Sequence, residues 1–234
     1  MPAIHDPIFS LPIFPLQPIQ SQNYFKNKRS LTYLCSIMRP RDENKICLLH
    51  KKAIEMIVNE GLDGFGVNKL ARAAGVSPAT LYIYFKDRED LIIQVTLRVT
   101  QTMLEESLRD FDPDMHFEEG LRKQWHNRAA HFTRNPLDVE FIEKMRYSHL
   151  YSKVSVEVYT AFKEVMGKFV RNAIERKELI ELPFEVYWSV AFAPLYQLIK
   201  FHTQEKTFIH KPFQLTEAAM EQTLQLVLKA LKPA

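Results

Sequence analysis

The stretch GVNKLARAAGVSPATLYIYFKDREDL, residues 66–91, decides the fold. Val67, Leu70, Ala71 and Ala74 recur at helical spacing and mark one face of a two-turn helix. Gly75 follows, and glycine is the residue that most readily takes the left-handed conformation ending a helix. Val76 is apolar and can plug the corner. Ser77-Pro78 is a start signal, a hydroxyl that accepts from an exposed amide and then a proline whose φ suits the first helical position. A second short helix runs from Ala79 to Phe85. Asp87 with Asp90 three residues on is a variant capping box, and a third helix starts there. Helix, glycine-containing turn, helix is the helix-turn-helix unit.

This stretch resembles the DNA-binding core of the tetracycline-repressor (TetR/AcrR) family of bacterial regulators. The matching residues are Leu70-Ala71, Ala74-Gly75-Val76-Ser77, Thr80-Leu81-Tyr82, Tyr84-Phe85 and Asp90-Leu91. The resemblance is sharp over residues 43–98, and beyond them it is one of length and helical pattern. Gly66 stands where the family often has Thr or Ser, and glycine caps nearly as well. Arg88 stands where the family often has Lys.

The totals agree with an all-helical chain. Only six glycines punctuate 234 residues, and 46% apolar content is ample for a core. A net charge of +3 is too small to argue nucleic-acid binding by itself. Its distribution adds a little: residues 38–98 hold ten Lys/Arg and eight Asp/Glu, against eighteen and nineteen in residues 99–234. Cys35 and Cys47 form no CxxC pair, and a reduced cytoplasm is the simplest setting. No apolar run reaches the roughly 18 residues of a membrane span.

Residues 1–37 differ from the rest, with prolines at 2, 7, 12, 15 and 18 among Ile, Phe and Leu. The reading is a disordered or mis-annotated extension, with Met38 as the natural start and no part in the fold. Arg39 and Arg41 then form either a short arm for the minor groove or two solvated side chains. Asp42 can cap the first helix, whose apolar stripe is Ile46, Leu49, Ala53, Ile54, Ile57 and Val58, with Gly61 ending it. Gly64-Phe65-Gly66 lacks the strand and the third glycine of a phosphate loop. A long helix is expected from Asp87 to about Arg109, with Leu91, Val95, Val99, Thr102 and Met103 on one side. Further helices are expected at 116–134, 137–151, 155–177, 184–203 and 215–231. The fold class is therefore all-α: a three-helix head with the helix-turn-helix at 38–86, then a larger helical ligand-binding and dimerisation domain at 87–234.

The resemblance implies that the helix from Pro78 to Phe85 lies in the major groove of a palindromic operator in double-stranded DNA. By position, Pro78, Ala79 and Tyr82 would face base edges, and Ile83 a thymine methyl. Thr80 and Tyr84 carry hydroxyls for phosphate, Lys69 and Arg88 supply charge, and Ser77 is a further DNA-contact candidate. Asn68 serves either as a base contact or as a helix cap. No Arg, Asn or Gln stands on the recognition helix, so specificity rests on Tyr82, apolar contacts and Asn68.

The rear half is dense in large side chains. Trp125, Phe141, Met145, Tyr147, Tyr151 and Phe162 are candidate walls of an apolar pocket, although most aromatics at helical spacing are core. His126, His131, His149, Arg146 and Lys144 are polar candidates. His126 and His131 lie about 140° apart around a helix and cannot share a metal. No catalytic signature, metal site or cofactor motif is present. Two other readings stay open: an adaptor of the same fold without DNA binding, and an all-helical enzyme using Glu140 or Glu143 with His149. The leading reading is a cytoplasmic, homodimeric repressor released from its operator by an apolar or amphipathic small molecule. Val186, Val190, Ala193, Tyr196 and Gln197, with Leu224, Leu228 and Leu231, are the expected dimer faces.

Overall fold

The computed structural model describes residues 40–154 and 157–233. Residues 1–37, Cys35 and Arg39 lie outside the described residues, and Arg41 and Asp42 outside the described side chains. Ten α-helices and one 3₁₀ turn account for the described chain, and an isolated bridge between Lys206 and Pro212 is its only β-pairing. The helices are α1 (Pro40–Gly64), α2 (Val67–Ala73), α3 (Pro78–Tyr84), α4 (Arg88–Ser107), α5 (Phe117–Arg134), α6 (Pro136–Arg146), α7 (Glu157–Glu175), α8 (Phe184–Ala191), α9 (Ala193–Thr203) and α10 (Glu217–Leu231). The 3₁₀ turn is Tyr151–Lys153. No helix among them is long and apolar enough to cross a membrane.

The chain packs as two compact units. The head unit comprises residues 40–102 and Leu137–Val158, and the second unit Met103–Pro136 and residues 159–233. The division differs from a single cut at residue 87. Most of α4 belongs to the head unit, and α6 returns to it: Phe141, Ile142, Met145 and Leu150 are buried in one cluster with Leu49, Ile57, Leu70, Leu81, Phe85 and Leu91. The α1 stripe forms as its spacing requires. Leu49, Ala53, Met56, Ile57 and Val58 are buried, and Ile54 packs on the cluster's edge. Gly61, at φ 76° and ψ 174°, breaks α1, but a further helical turn carries it to Gly64.

In the second unit α5 is the central element, with Leu121, Gln124, Trp125, Arg128, Ala129 and Phe132 on its buried face. Trp125 donates its indole N–H to the Ala191 carbonyl at 2.8 Å. Gly120 brings α5 against α7. A Cβ built there would lie 2.4 Å from the Phe169 ring, which is itself fully buried. Burying such a ring contributes about 1.5–3 kcal/mol.

Two expectations change here. Residues 184–203 are two helices, because the backbone leaves helical geometry at Phe192 (φ −127°) and Pro194 follows. Proline has no N–H for the i−4 carbonyl, and its ring clashes with that group. Leu224, Leu228 and Leu231 are at most 2% exposed within one chain, so they fill this unit's own core and cannot form a dimer face.

Candidate functional site

The helix-turn-helix is held by local chemistry. At the end of α2, Val76 N–H donates to the Ala71 carbonyl at 3.0 Å and Gly75 N–H to the Arg72 carbonyl at 3.2 Å. Gly75 takes φ 67°, the left-handed value that only glycine adopts without strain. Ser77 caps α3, its Oγ accepting from Thr80 N at 3.2 Å and lying 2.9 Å from the Thr80 hydroxyl. Asp87 accepts from Asp90 N at 2.8 Å, while the Asp90 carboxylate accepts from Lys86 N at 2.8 Å. This is a reciprocal cap for α4 whose return bond lands one residue before the usual one.

That frame divides α3 into two faces. Leu81 and the following Phe85 point into the head core. Tyr82 and Ile83 point to solvent at 57% and 76% exposure, beside exposed Ser77, Pro78 and Ala79. An aromatic ring and a branched apolar chain thus stand side by side in solvent on this face of α3. Asn68 is exposed at the start of α2, and no side-chain hydrogen bond caps that helix. Lys69 is exposed and pairs with the Glu60 carboxylate. Such a surface pair contributes little and can open toward a phosphate. The Thr80 hydroxyl is engaged with Ser77, and Tyr84 is half-buried on the edge of the head core.

Arg88 has a different place from the one expected. Its Nε donates to the Phe65 carbonyl at 3.1 Å and its Nη2 to the Leu62 carbonyl, with the guanidinium 5.7 Å from the Phe65 ring centroid. It clamps the end of α1 to the start of α4, with its Nε and Nη2 donors taken by backbone carbonyls inside the head. The first turn of α4 is also tied down through Glu89, which accepts from Lys153 at 2.6 Å. The Lys153 ammonium holds that carboxylate below its usual range. His50 sits 6.1 Å from the Phe85 ring, and burial first, then the Arg98 charge, pushes its pKa down to about 4. It is a neutral core imidazole at physiological pH.

The family model described as bacterial regulatory proteins, tetR family, matches residues 49–95, which is the helix-turn-helix with the helices flanking it. A protein of Haemophilus influenzae described as an uncharacterized HTH-type transcriptional regulator is 33% identical over 81 residues, 35% of this chain and 43% of that one. The chain therefore spans less than half the length of that relative. A TetR family transcription regulator from Marinobacter aquaeolei superimposes with a TM-score of 0.71 and 25% identity, covering 84% of this chain and all of that one.

Residues 49–95 of this chain match the tetR family of bacterial regulatory proteins.

A transcriptional regulator FadR from Bacillus subtilis, solved in complex with stearoyl-CoA, shares the fold at a TM-score of 0.63 and 19% identity, over 79% of this chain and 98% of that one. In this chain the six candidate pocket residues are divided between the two units. Phe141 and Met145 are fully buried in the head unit's core, and Tyr151 packs against the same core. Tyr147 is 93% exposed. Trp125 and Phe162 belong to the second unit, where Trp125 is fully buried and Phe162 half-buried. Helical periodicity marks all six as apolar-face residues or near neighbours, but it cannot say which core each joins.

Of the polar candidates, Lys144, Arg146 and His149 are exposed, and His126 faces Glu217 at 3.7 Å on the surface. Glu140 and Glu143 are exposed as well, so no enclosed acid–base pair forms with His149. His131 is buried, and burial lowers its pKa. Among the described residues no group of three His, Cys, Asp or Glu side chains could hold a metal ion. The polar residue the sequence reading missed is Arg128, on the buried face of α5. Its position three residues after Trp125 and four before Phe132 was the available signal.

Proposed function

We propose that this chain is a homodimeric, ligand-responsive repressor that binds a palindromic operator in double-stranded DNA through α3. The observation that carries this is the solvent-facing side of α3: Tyr82 and Ile83 stand 57% and 76% exposed on a helix whose other face and both ends are fixed. A helix so presented fits the major groove, about 12 Å wide. Tyr82, Ile83, Pro78 and Ala79 would meet base edges, Asn68 a base or sugar, and Lys69, with the Ser77, Thr80 and Tyr84 hydroxyls, the phosphates.

The dimer reading draws on Val186, Ala193 and Gln197 along α8 and α9 and on Leu226 of α10, all exposed in the single chain. A two-fold dimer places its recognition helices about 34–36 Å apart or at a multiple of that distance. The effector is an apolar or amphipathic small molecule taken by the second unit. Because α4 contributes residues to both units, a change in its second-unit end is transmitted along one helix into the head. Release requires the effector to prefer the DNA-incompetent form, and linkage then makes operator DNA weaken effector binding by the same factor. The protein would act in the cytoplasm.

Fluorescence anisotropy with the DNA upstream of its own gene, combined with sedimentation at micromolar concentration, tests this. The expected result is salt-sensitive binding, tighter than to scrambled DNA, by a dimer. A monomer with no preference for the upstream sequence would overturn it.

A further inference from the structure

Arg128 is 3% exposed, and its guanidinium is ringed by aromatic carbon. Its Cζ lies 4.6 Å from the ring centroid of Phe192, 5.8 Å from that of Phe162 and 6.0 Å from that of Trp188. Its hydrogen-bond partners are neutral. Nε donates to the Tyr196 hydroxyl at 3.1 Å, and Nη1 to the Gln124 amide oxygen at 3.1 Å. Among the described residues no carboxylate pairs with it, and its hydrogen bonds use Nε and Nη1 alone.

Two more donors nearby lack partners. They are the Gln124 amide nitrogen and the Tyr187 hydroxyl, on side chains 0% and 3% exposed. The Tyr187 ring lies edge-on to Phe192 at 6.2 Å. Burial raises the Tyr187 pKa against a smaller opposing effect of Arg128, so the phenol keeps its proton and can donate. All of these residues belong to the second unit.

Burying a cation without a counter-charge is costly, and aromatic faces return only part of that cost. The arrangement has one unbalanced positive charge, a free guanidinium edge and unused neutral donors. That is the complement of a single planar anion. A phosphate dianion would leave a negative charge uncompensated at the same depth. A thioester carbonyl carries no charge to match.

We propose that this cluster seats the carboxylate of a small organic acid with an apolar body, held by the Nη1–Nη2 edge of Arg128 and by the Gln124 and Tyr187 donors, with the body among Phe162, Trp188 and Phe192. It names the chemical class of the effector and, for its regulatory consequence, rests on the repressor reading above. The binding itself stands apart from that reading.

The probes are octanoate and 3-phenylpropanoate, each against its primary amide, with octanoyl-CoA as the thioester arm. Trp125 and Trp188 are the only tryptophans of the chain and both lie in this unit, so intrinsic fluorescence reports occupancy. At least one acid should bind the wild type roughly ten- to a hundredfold more tightly than its amide, the range expected for a charge-assisted hydrogen bond. Octanoyl-CoA should not compete. Arg128→Met should abolish the preference for acid over amide while leaving amide binding in place. Should that variant fail to fold, Arg128→Lys keeps the charge without the fork and should retain a smaller preference.

Equal affinities of acid and amide for the wild type would overturn the proposal, as would no binding of either acid or displacement of the acids by octanoyl-CoA. The same samples are titrated with upstream DNA. Loss of DNA binding alone strikes the repressor reading, and loss of acid preference alone strikes this one.

Discussion

Replacing Arg88 by alanine should destabilise the head and leave its electrostatic footprint on DNA unchanged. The guanidinium makes two charge-assisted bonds, to the carbonyls of Phe65 and Leu62, and lies over the Phe65 ring. The Leu62 carbonyl also accepts from Phe65 N at 3.2 Å, so truncation leaves one carbonyl, that of Phe65, without its described partner. Hydrogen bonds to charged groups contribute about 1.5–3 kcal/mol each when buried. Arg88 is only half-buried, so the low end applies. With a small stacking contribution, the loss comes to about 2–4 kcal/mol. For a chain of this size each kcal/mol moves Tm by about 2–4 °C, so a fall of roughly 4–16 °C is expected. Arg88→Lys should lose most of this too, because an ammonium cannot span both carbonyls or stack as the planar fork does. Differential scanning calorimetry gives the Tm, and anisotropy titrations at several salt concentrations, well below it, give the slope of log K against log salt. The slope should match the wild type. An unchanged Tm with a slope lowered by about one would show that Arg88 binds a phosphate, and would refute the clamp.

Lys69→Ala should do the reverse, lowering the salt slope by about one on any sequence with little change in Tm, and a wild-type slope would remove Lys69 from the interface. His50 has its pKa lowered from 6.5 to about 4 in the folded chain, so the unfolded chain binds the proton first. Its contribution is whole above pH 6.5 and is lost as pH falls toward 4, on the order of 3 kcal/mol across that window. Urea melts of the wild type and His50→Gln between pH 4 and 7 should show a shallower decline in the variant, and parallel curves would contradict the assignment. Gly120→Ala should destabilise by about 1–3 kcal/mol through overpacking on Phe169, outweighing a helix-propensity gain of about 1 kcal/mol. A more stable variant in thermal melts would show that Phe169 yields easily.

The head was legible because its signals are local. Ser77 caps the helix it precedes, Gly75 takes the positive φ its place in the turn requires, and Asp87 and Asp90 cap α4 within a few residues of each other. The Arg88 clamp was not legible because the carbonyls it meets lie 23 and 26 residues earlier, and only tertiary packing brings them near. The break at Phe192 escaped notice because the aromatic stripe Trp188, Phe192, Tyr196 continues in register across it. Pro194 was the signal to weigh more heavily. Leu224, Leu228 and Leu231 illustrate a general limit. An apolar stripe states that a face is covered, but a helix of the same chain and one of a second copy leave the same periodicity. The division of the aromatic candidates was hidden for a related reason, since Phe141 and Trp125 are equally buried but in different units. Arg128 was passed over because a charged residue on an apolar stripe reads as an exception until its surroundings are seen.

The central claim is that the exposed face of α3 reads DNA, and substitution of Tyr82 tests it most directly. Tyr82 is 57% exposed and takes no part in the head core, so Tyr82→Ala should fold with an unchanged Tm. Anisotropy titrations against the upstream DNA and a scrambled duplex, at one fixed salt concentration, compare the variant with the wild type. Affinity for the upstream sequence should fall by roughly 1–3 kcal/mol, while affinity for the scrambled duplex stays the same. Undiminished binding of the upstream DNA by a folded Tyr82→Ala dimer would contradict the assignment of α3 as the recognition helix.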